Sequence, residues 1–202
     1  MRLAFDESGT RVVDDEDAID RVLVDKAKDG DREAFAMLYR RHVASVYSFA
    51  FRTAGSKEVA EEVTSATFER ALRSLAGFNW TGGGIRPWLL RIASVETSSW
   101  YRREQRSQKP RAQMILRELA SEPSAPESPT FGFSAPEIHE ALARVHPRYR
   151  EAISLRYLSG LSVDDAAAAM GCSKTVLSVT LHRAVGALRR ALAESAMREV
   201  KS

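Results

Sequence analysis

Apolar residues recur at intervals of three and four through most of this chain, and no stretch sustains the period-two alternation of branched or aromatic residues that a strand needs. That pattern leaves an all-α fold. A first helix is expected to begin after Asp15 or Asp17, with Ile19, Val22, Leu23 and Ala27 on its apolar side, and to end near Asp29-Gly30. A second spans about Asp31 to Arg52 and buries Phe35, Leu38, Tyr39, Val43, Val46 and Phe49. Gly55-Ser56 ends it and caps a third, which reaches about Ala76. Gly77 to Gly84 form a loop, and a fourth helix runs from Ile85 to about Arg106.

The helical pattern stops between Glu118 and Pro136. Pro123, Pro126 and Pro129, with Ser and Glu between them, cannot continue a helix and suit an extended linker. The chain therefore divides into a flexible acidic N-terminus (1–15), a four-helix domain (16–108), a linker (109–134), a second small helical domain (135–195) and a basic tail (196–202). Its 202 residues suffice for two small domains, and 44% hydrophobic against 28% charged residues supports packed cores rather than disorder. No apolar stretch approaches the roughly 18 residues of a membrane span, and the start is acidic where a secretory signal would be basic, so a cytoplasmic protein without membrane insertion is expected. A single cysteine, Cys172, excludes an intrachain disulfide and any multi-cysteine zinc site; its plainest reading is a small buried apolar residue.

The charges are segregated. Asp6, Glu7, Asp14, Asp15, Glu16, Asp17 and Asp20 make the start acidic, Arg102, Arg103, Arg106, Lys109 and Arg111 form a basic run, and His182, Arg183, Arg189, Arg190, Arg198 and Lys201 make the end basic. Such runs permit a nucleic-acid partner without demonstrating one.

Near the C-terminus, Ser162 opens a short helix to Met170, Gly171 supplies the left-handed residue that ends it, and Ser173 caps a longer helix to about Leu192. Ala167, Gly171 and Leu177 have the small, turn and apolar characters of a helix-turn-helix. At 100° per residue, Leu177, Leu181, Ala184, Val185, Leu188 and Leu192 share one side, opposite Ser178, Val179, His182, Arg183, Gly186, Arg189 and Arg190. The second face suits a major groove, with Arg148, Arg150 and Arg156 of the preceding helix able to reach phosphates. The third helix carries an acidic stripe, Glu58, Glu61, Glu62, Ser65 and Glu69, a candidate docking face for a basic partner. Arg91, Ser94, Ser98, Arg102 and Gln105 share an outer flank of the fourth helix, and Phe78, Asn79 and Trp80 stand on the loop before it, a combination that suits single-stranded DNA. Trp88 and Trp100 are expected in or at the edge of the core.

These motifs resemble, in order, those of the extracytoplasmic-function sigma factors of the sigma-70 family. Glu58-Val-Ala-Glu-Glu-Val-Thr-Ser-Ala-Thr-Phe-Glu-Arg-Ala-Leu72 is similar to the family's core-polymerase-binding helix. Ile85-Arg-Pro-Trp-Leu-Leu-Arg-Ile-Ala93, running on to Arg102-Arg103, is similar to the segment that melts and reads the promoter −10 element. His146-Pro-Arg-Tyr-Arg150, Leu155-Arg-Tyr-Leu158 and Gly160 through Arg190 are similar to the domain that reads the −35 element.

The resemblance implies an alternative sigma factor, monomeric when free, whose partners are core RNA polymerase and promoter DNA, with an anti-sigma factor as a further candidate. It implies polymerase contacts at Glu58, Glu61, Glu62, Ser65, Phe68 and Glu69. Contacts to −10 DNA fall at Phe78, Asn79, Trp80, Arg86, Arg91, Ser98, Arg102, Arg103 and Arg106, the loop Phe78 to Gly84 capturing a flipped base. Contacts to −35 DNA fall at Arg148, Arg156, Ser173, Lys174, Thr175, Ser178, Val179, His182 and Arg183. Glu118, Glu122 and Glu127 lie in the linker, which in the family threads toward the active centre. The family often carries Gln-Glu where this chain has Ser65-Ala66, and Asn and Asp where it has Val95 and Ser99. Ser178 and Thr180 stand at positions that are frequently basic, which implies weaker phosphate binding or a different −35 sequence. Two rival readings are a sigma-like decoy that binds an anti-sigma factor, and an ordinary helix-turn-helix regulator. An enzyme is not expected: His42, His139, His146 and His182 are scattered, no metal-ligand spacing is present, and no catalytic residue, metal or cofactor is assigned.

Overall fold

The structure, a computed structural model, describes residues 15–80, 84–107 and 135–199. The linker with Glu118, Glu122 and Glu127, and the basic residues Lys109 and Arg111, lie outside the described residues. Every described element is helical: α1 (Asp15–Lys28), α2 (Arg32–Ala54), α3 (Lys57–Ser74), α4 (Ile85–Ser107), α5 (Ala135–Arg144), α6 (Pro147–Ile153), α7 (Val163–Ala169) and α8 (Lys174–Glu199).

Local chemistry sets the boundaries. The Asp31 carboxylate accepts from the Glu33 and Ala34 amides at 2.9 and 3.1 Å and starts α2. Gly55, at φ 74°, sends its N–H to the Phe51 carbonyl and closes α2, and the Ser56 hydroxyl then caps α3. Pro147 occupies the first turn of α6, where its missing N–H costs nothing. The Ser162 hydroxyl accepts from the Asp165 amide and donates to the Asp165 carboxylate, capping α7, and Gly171 (φ 62°) with Ser173 separates α7 from α8.

In the N-terminal half, α2 packs against α1, α3 and α4. Its buried stripe is Ala34, Leu38, His42, Val46, Phe49, Ala50 and Thr53. Tyr39, expected in the core, is 43% exposed, since its ring lies edge-on against Phe68 at the surface between α2 and α3. The stripe of α1 is Asp20, Leu23 and Val24, with Ala27 partly buried, so Ile19 and Val22, also expected inside, are 44% and 54% exposed. Asp20 and His42 occupy core positions because each satisfies the other: Oδ2 of Asp20 lies 2.8 Å from Nε2 of His42, and Nε of Arg41 donates to Oδ1 at 2.7 Å.

Five buried threonines, Thr53, Thr64, Thr67, Thr97 and Thr180, each donate to the carbonyl four residues earlier in their own helix. Their hydroxyls are satisfied without reaching a neighbour.

In the C-terminal half, α8 packs against α5, α6 and α7. Between α6 and α7 the helix widens into a π-type turn at Ser154–Leu158, closed by the Ser159 N–H on the Ser154 carbonyl at 2.7 Å. This turn faces the N-terminal half. Leu155, Leu161 and Leu177 belong to the same buried cluster as Leu38, Phe49 and Leu89, so the two halves share apolar core.

A polar seam accompanies it. Arg150 is buried and donates to the carbonyls of Thr53 (3.0 Å), Ala143 and Val145 (3.1 Å each). Tyr101 also donates to the Thr53 carbonyl, at 2.7 Å. Arg86 and Arg52 converge on Ser159, Arg86 reaching its carbonyl at 2.7 Å and Arg52 its hydroxyl at 3.1 Å. The Ser94 hydroxyl lies between the Glu151 carboxylate and the Ala169 carbonyl, and the rings of Phe51 and His139 stack with centroids 4.7 Å apart.

Candidate functional site

Three surfaces carry the residues that the sequence singles out. The first is a groove of about 580 Å³ between α2 and α3. Phe35, Tyr39, Val43 and Tyr47 recur every four residues along one face of α2, and α3 answers with Glu61, Ser65, Phe68, Glu69 and Leu72. Tyr39 meets Phe68 edge to face at 4.7 Å. Leu72 is 56% exposed at the end of the groove. Exposed apolar surface with rigid aromatic walls is what a protein-binding site offers. Glu58, Glu61, Glu62, Ser65 and Glu69 are all exposed as expected, but most of the carboxylates have partners: Glu61 lies 3.8 Å from Lys57, Glu62 3.7 Å from Arg103 of α4, and Glu69 2.9 Å from Arg73. Glu58 accepts from the Ser56 hydroxyl, which lowers its pKa. Surface pairs of this kind contribute little to stability. The acidic stripe is thus largely self-compensated, and the aromatic wall beside it, supplied by α2, is the feature that the sequence reading missed by assigning Tyr39 to the core.

The second surface surrounds the start of α4. Gly84 has φ 75° and lies against α1 so closely that a Cβ there would meet Oδ1 of Asp17 at 2.8 Å. On the other side of the loop, Phe78 is buried, with its ring 4.9 Å from Trp88 and 5.8 Å from Trp80, and its carbonyl accepts from Lys28 at 2.6 Å. Phe78 therefore supports the loop here and does not offer its ring to a base. Trp80 is half-buried beneath the Arg21 guanidinium, 5.0 Å from the ring centroid, and Asn79 is exposed. The intervening residues 81–83 lie outside the described residues.

Arg91, Arg102 and Arg103 are exposed along α4, and Ser98 is half-buried. Arg102 donates to Ser99 at 2.9 Å. The side chain of Arg106 lies outside the described residues. Ser94, placed by periodicity on the same outer flank, is instead buried under the C-terminal half. Arg86 is turned away from that flank, bonding Ser45 at 3.1 Å and the Ser159 carbonyl.

The third surface is the N-terminal end of α8. Ser173, Lys174, Thr175, Val176, Ser178 and Val179 are exposed, while Leu177, Thr180 and Leu181 face inward. Lys174 is paired with Asp164 of α7. Thr180 is 7% exposed, so its difference from a basic residue falls on the inner face and not on the outer one. His182 and Arg183 are half-buried, and Nδ1 of His182 is enclosed without a hydrogen-bond partner. Arg148 is exposed; Arg156 is half-buried, with its guanidinium on the Leu161 carbonyl at 3.1 Å. Arg150, expected as a phosphate contact, belongs to the seam because its three carbonyl acceptors hold it inside. Cys172 is partly buried against the core cluster. Among the described residues no group of His, Cys, Asp and Glu could hold a metal ion, and no helix is long and apolar enough to cross a membrane.

Known proteins share this arrangement. The family described as Sigma-70 region 2 matches residues 38–107, which hold all of the groove but Phe35 together with α4, and Sigma-70, region 4 matches residues 136–188, which hold the helix-turn-helix. The chain is 32% identical over 178 residues to the ECF RNA polymerase sigma factor BldN of Streptomyces coelicolor, covering 86% of this chain and 66% of that protein. It is 30% identical over 178 residues to the ECF RNA polymerase sigma-E factor of Salmonella typhimurium, covering 84% of this chain and 92% of that one. In fold it is similar to the sigma factor RpoE solved in complex with the anti-sigma factor NepR from Bartonella quintana, with a TM-score of 0.60 at 24% identity over 79% of this chain and 96% of that one. Two region matches in the order of the two halves, and a relative aligned over nearly its whole length, place the chain in the sigma-70 family, as an alternative sigma factor of the extracytoplasmic-function type.

Proposed function

We propose that the chain divides its work between its halves, residues 16–108 docking on core RNA polymerase and opening the −10 region, and residues 135–195 gripping −35 duplex. The observation that carries this reading is the presence, in one chain, of an exposed aromatic groove on the first half and a helix-turn-helix with a solvent-facing reading end on the second. In the groove, the exposed Tyr39 and Leu72 supply the apolar contact over the buried Phe68, and Glu61, Ser65 and Glu69 form the polar edge. Arg91, Arg102 and Arg103 follow the DNA backbone along α4, with Asn79 and Trp80 at the loop where a base leaves the stack. At the other end, the exposed Ser173, Thr175, Val176, Ser178 and Val179 reach base edges and Arg148 a phosphate. Two weak contacts joined in one chain act as a strong one.

The reading places the protein in the cytoplasm as a regulator of transcription and not an enzyme. An anti-sigma factor is a further partner, supported by the solved complex of the similar factor with NepR.

The test is transcription in vitro from a fragmented library of the source genome, with purified core polymerase, with and without this chain, and mapping of RNA 5′ ends. Defined starts sharing two upstream motifs are expected. Binding to core without starts would instead mark a decoy, and absence of core binding would mark an ordinary DNA-binding regulator.

A further inference from the structure

The outer face of the first two turns of α8 has an unusual composition. Val176 and Val179, three residues apart and so on one face, are 44% and 41% exposed. Beside them stand Ser173, Lys174, Thr175 and Ser178, with the half-buried His182 and Arg183 a turn further on. Between residues 174 and 181 there is no arginine, and the one cation, Lys174, is turned back onto Asp164. The bidentate arginine-to-guanine contact, the commonest way of reading a major groove, therefore has no source in these two turns. The first arginine of the helix, Arg183, comes a turn later and is half-buried.

What this face does offer is branched methyl groups between short hydroxyls. In the major groove of B-DNA the matching apolar group is the C5-methyl of thymine, the one methyl group among the four bases.

We infer that Val176 and Val179 read thymine methyl groups in the −35 duplex, so that sequence choice at that end rests on apolar contact. Ser178 and Thr175 beside them accept or donate to neighbouring edges and tolerate more than one base. The inference rests on the reading that α8 enters the −35 major groove.

The experiment uses holoenzyme, assembled from core polymerase and the full chain, on a promoter found by the transcription assay. Each thymine of the −35 element, on either strand, is replaced in turn by deoxyuridine, which keeps base pairing and removes only the methyl. Open-complex formation is then titrated for the wild type and for the Val176→Ala and Val179→Ala variants. Both sites are exposed and alanine is a stronger helix former, so the variants keep the fold. Loss of one methyl contact should weaken wild-type binding about fourfold at one or two positions. The corresponding alanine variant should lose that sensitivity while its affinity for the thymine promoter falls by a similar factor.

Uniform indifference to deoxyuridine, or sensitivity unchanged in both variants, overturns the inference. Replacing the whole −35 element with unrelated sequence separates the two layers. If that replacement leaves binding unchanged, the docking of α8 itself fails; if it abolishes binding while deoxyuridine does nothing, only the valine reading fails.

Discussion

Asp20 sits where helical periodicity calls for an apolar side chain, and its carboxylate is acceptable there only because His42 and Arg41 meet it. Burial alone would raise its pKa, but the hydrogen bonds and charges of His42 and Arg41 outweigh burial and hold it below the ordinary aspartate value. A carboxylate depressed in the folded state stabilises the fold above its unfolded pKa, and that contribution disappears as pH falls through the lowered value. Acid titration followed by circular dichroism should therefore show a loss of stability that Asp20→Asn lacks. At neutral pH the same variant should be less stable by roughly 2–4 kcal/mol, under the full cost of breaking a wholly buried pair because Arg41 keeps contact with water. Glu151 behaves in the opposite sense. Burial raises its pKa against the opposing effects of Ser94 and Arg148. The raised value agrees with the geometry, since one Ser94 proton cannot serve both Glu151 and the Ala169 carbonyl, whereas a protonated Glu151 donates to Ser94 and leaves the serine proton for Ala169. The stability it contributes is present below its unfolded pKa and is lost as pH rises through the folded one. Glu151→Gln should accordingly raise the thermal midpoint at neutral pH and leave it unchanged in acid, where the wild-type group is already neutral. A midpoint lowered equally at both pH values would show that the carboxyl geometry matters and its charge does not.

At the scale of single helices, the capped boundaries were legible because caps are local: Asp31, Gly55, Ser56, Ser162, Gly171 and Ser173 each act within three or four residues of their own position, whereas α8, expected to end near Leu192, runs on to Glu199. Rotation about the helix axis was less legible. Turning α1 so that Ile19 and Val22 face water depends on a partner for Asp20 that lies 22 positions away, and no periodicity within α1 reveals it. His42 likewise reads as a surface residue until Asp20 is placed beside it, and Tyr39 was misassigned because the groove it lines is completed by α3. Ser94 and Arg150 were read as outer-face groups because a sequence marks them polar without showing that a second layer of helices supplies their acceptors. The candidate surfaces divide in the same way: the acidic stripe and the exposed end of α8 followed from spacing within one helix, whereas the groove required two helices to be set side by side. The groove also gives the test of its own role. Tyr39→Ala combined with Leu72→Ala removes apolar surface that is already half in water, so the fold should lose no more than about 1 kcal/mol. Affinity for core polymerase, measured by competition with a labelled sigma factor, should fall at least tenfold if these side chains anchor the interface. Glu58→Gln, at the far end of the stripe, should change it little.

Over the whole molecule, the two halves meet through shared leucines and a short list of directional bonds. Arg150 is a poor probe of that meeting, because two of its three acceptors lie in its own half and would be left buried without a donor. Arg52 and Arg86 are better, because both reach across from the N-terminal half to Ser159. Their joint replacement by alanine should enlarge the radius of gyration in small-angle scattering while helix content stays constant; an unchanged radius would mean that the apolar contact alone holds the halves together. The buried threonines point to a further consequence. Each keeps its hydroxyl bond inside its own helix, so separating the halves breaks none of these bonds, and the polar losses on separation are confined to the seam. Calorimetry on the intact chain should then record an early, shallow endotherm of low enthalpy as the halves part, followed by the main transition in which the helices themselves melt.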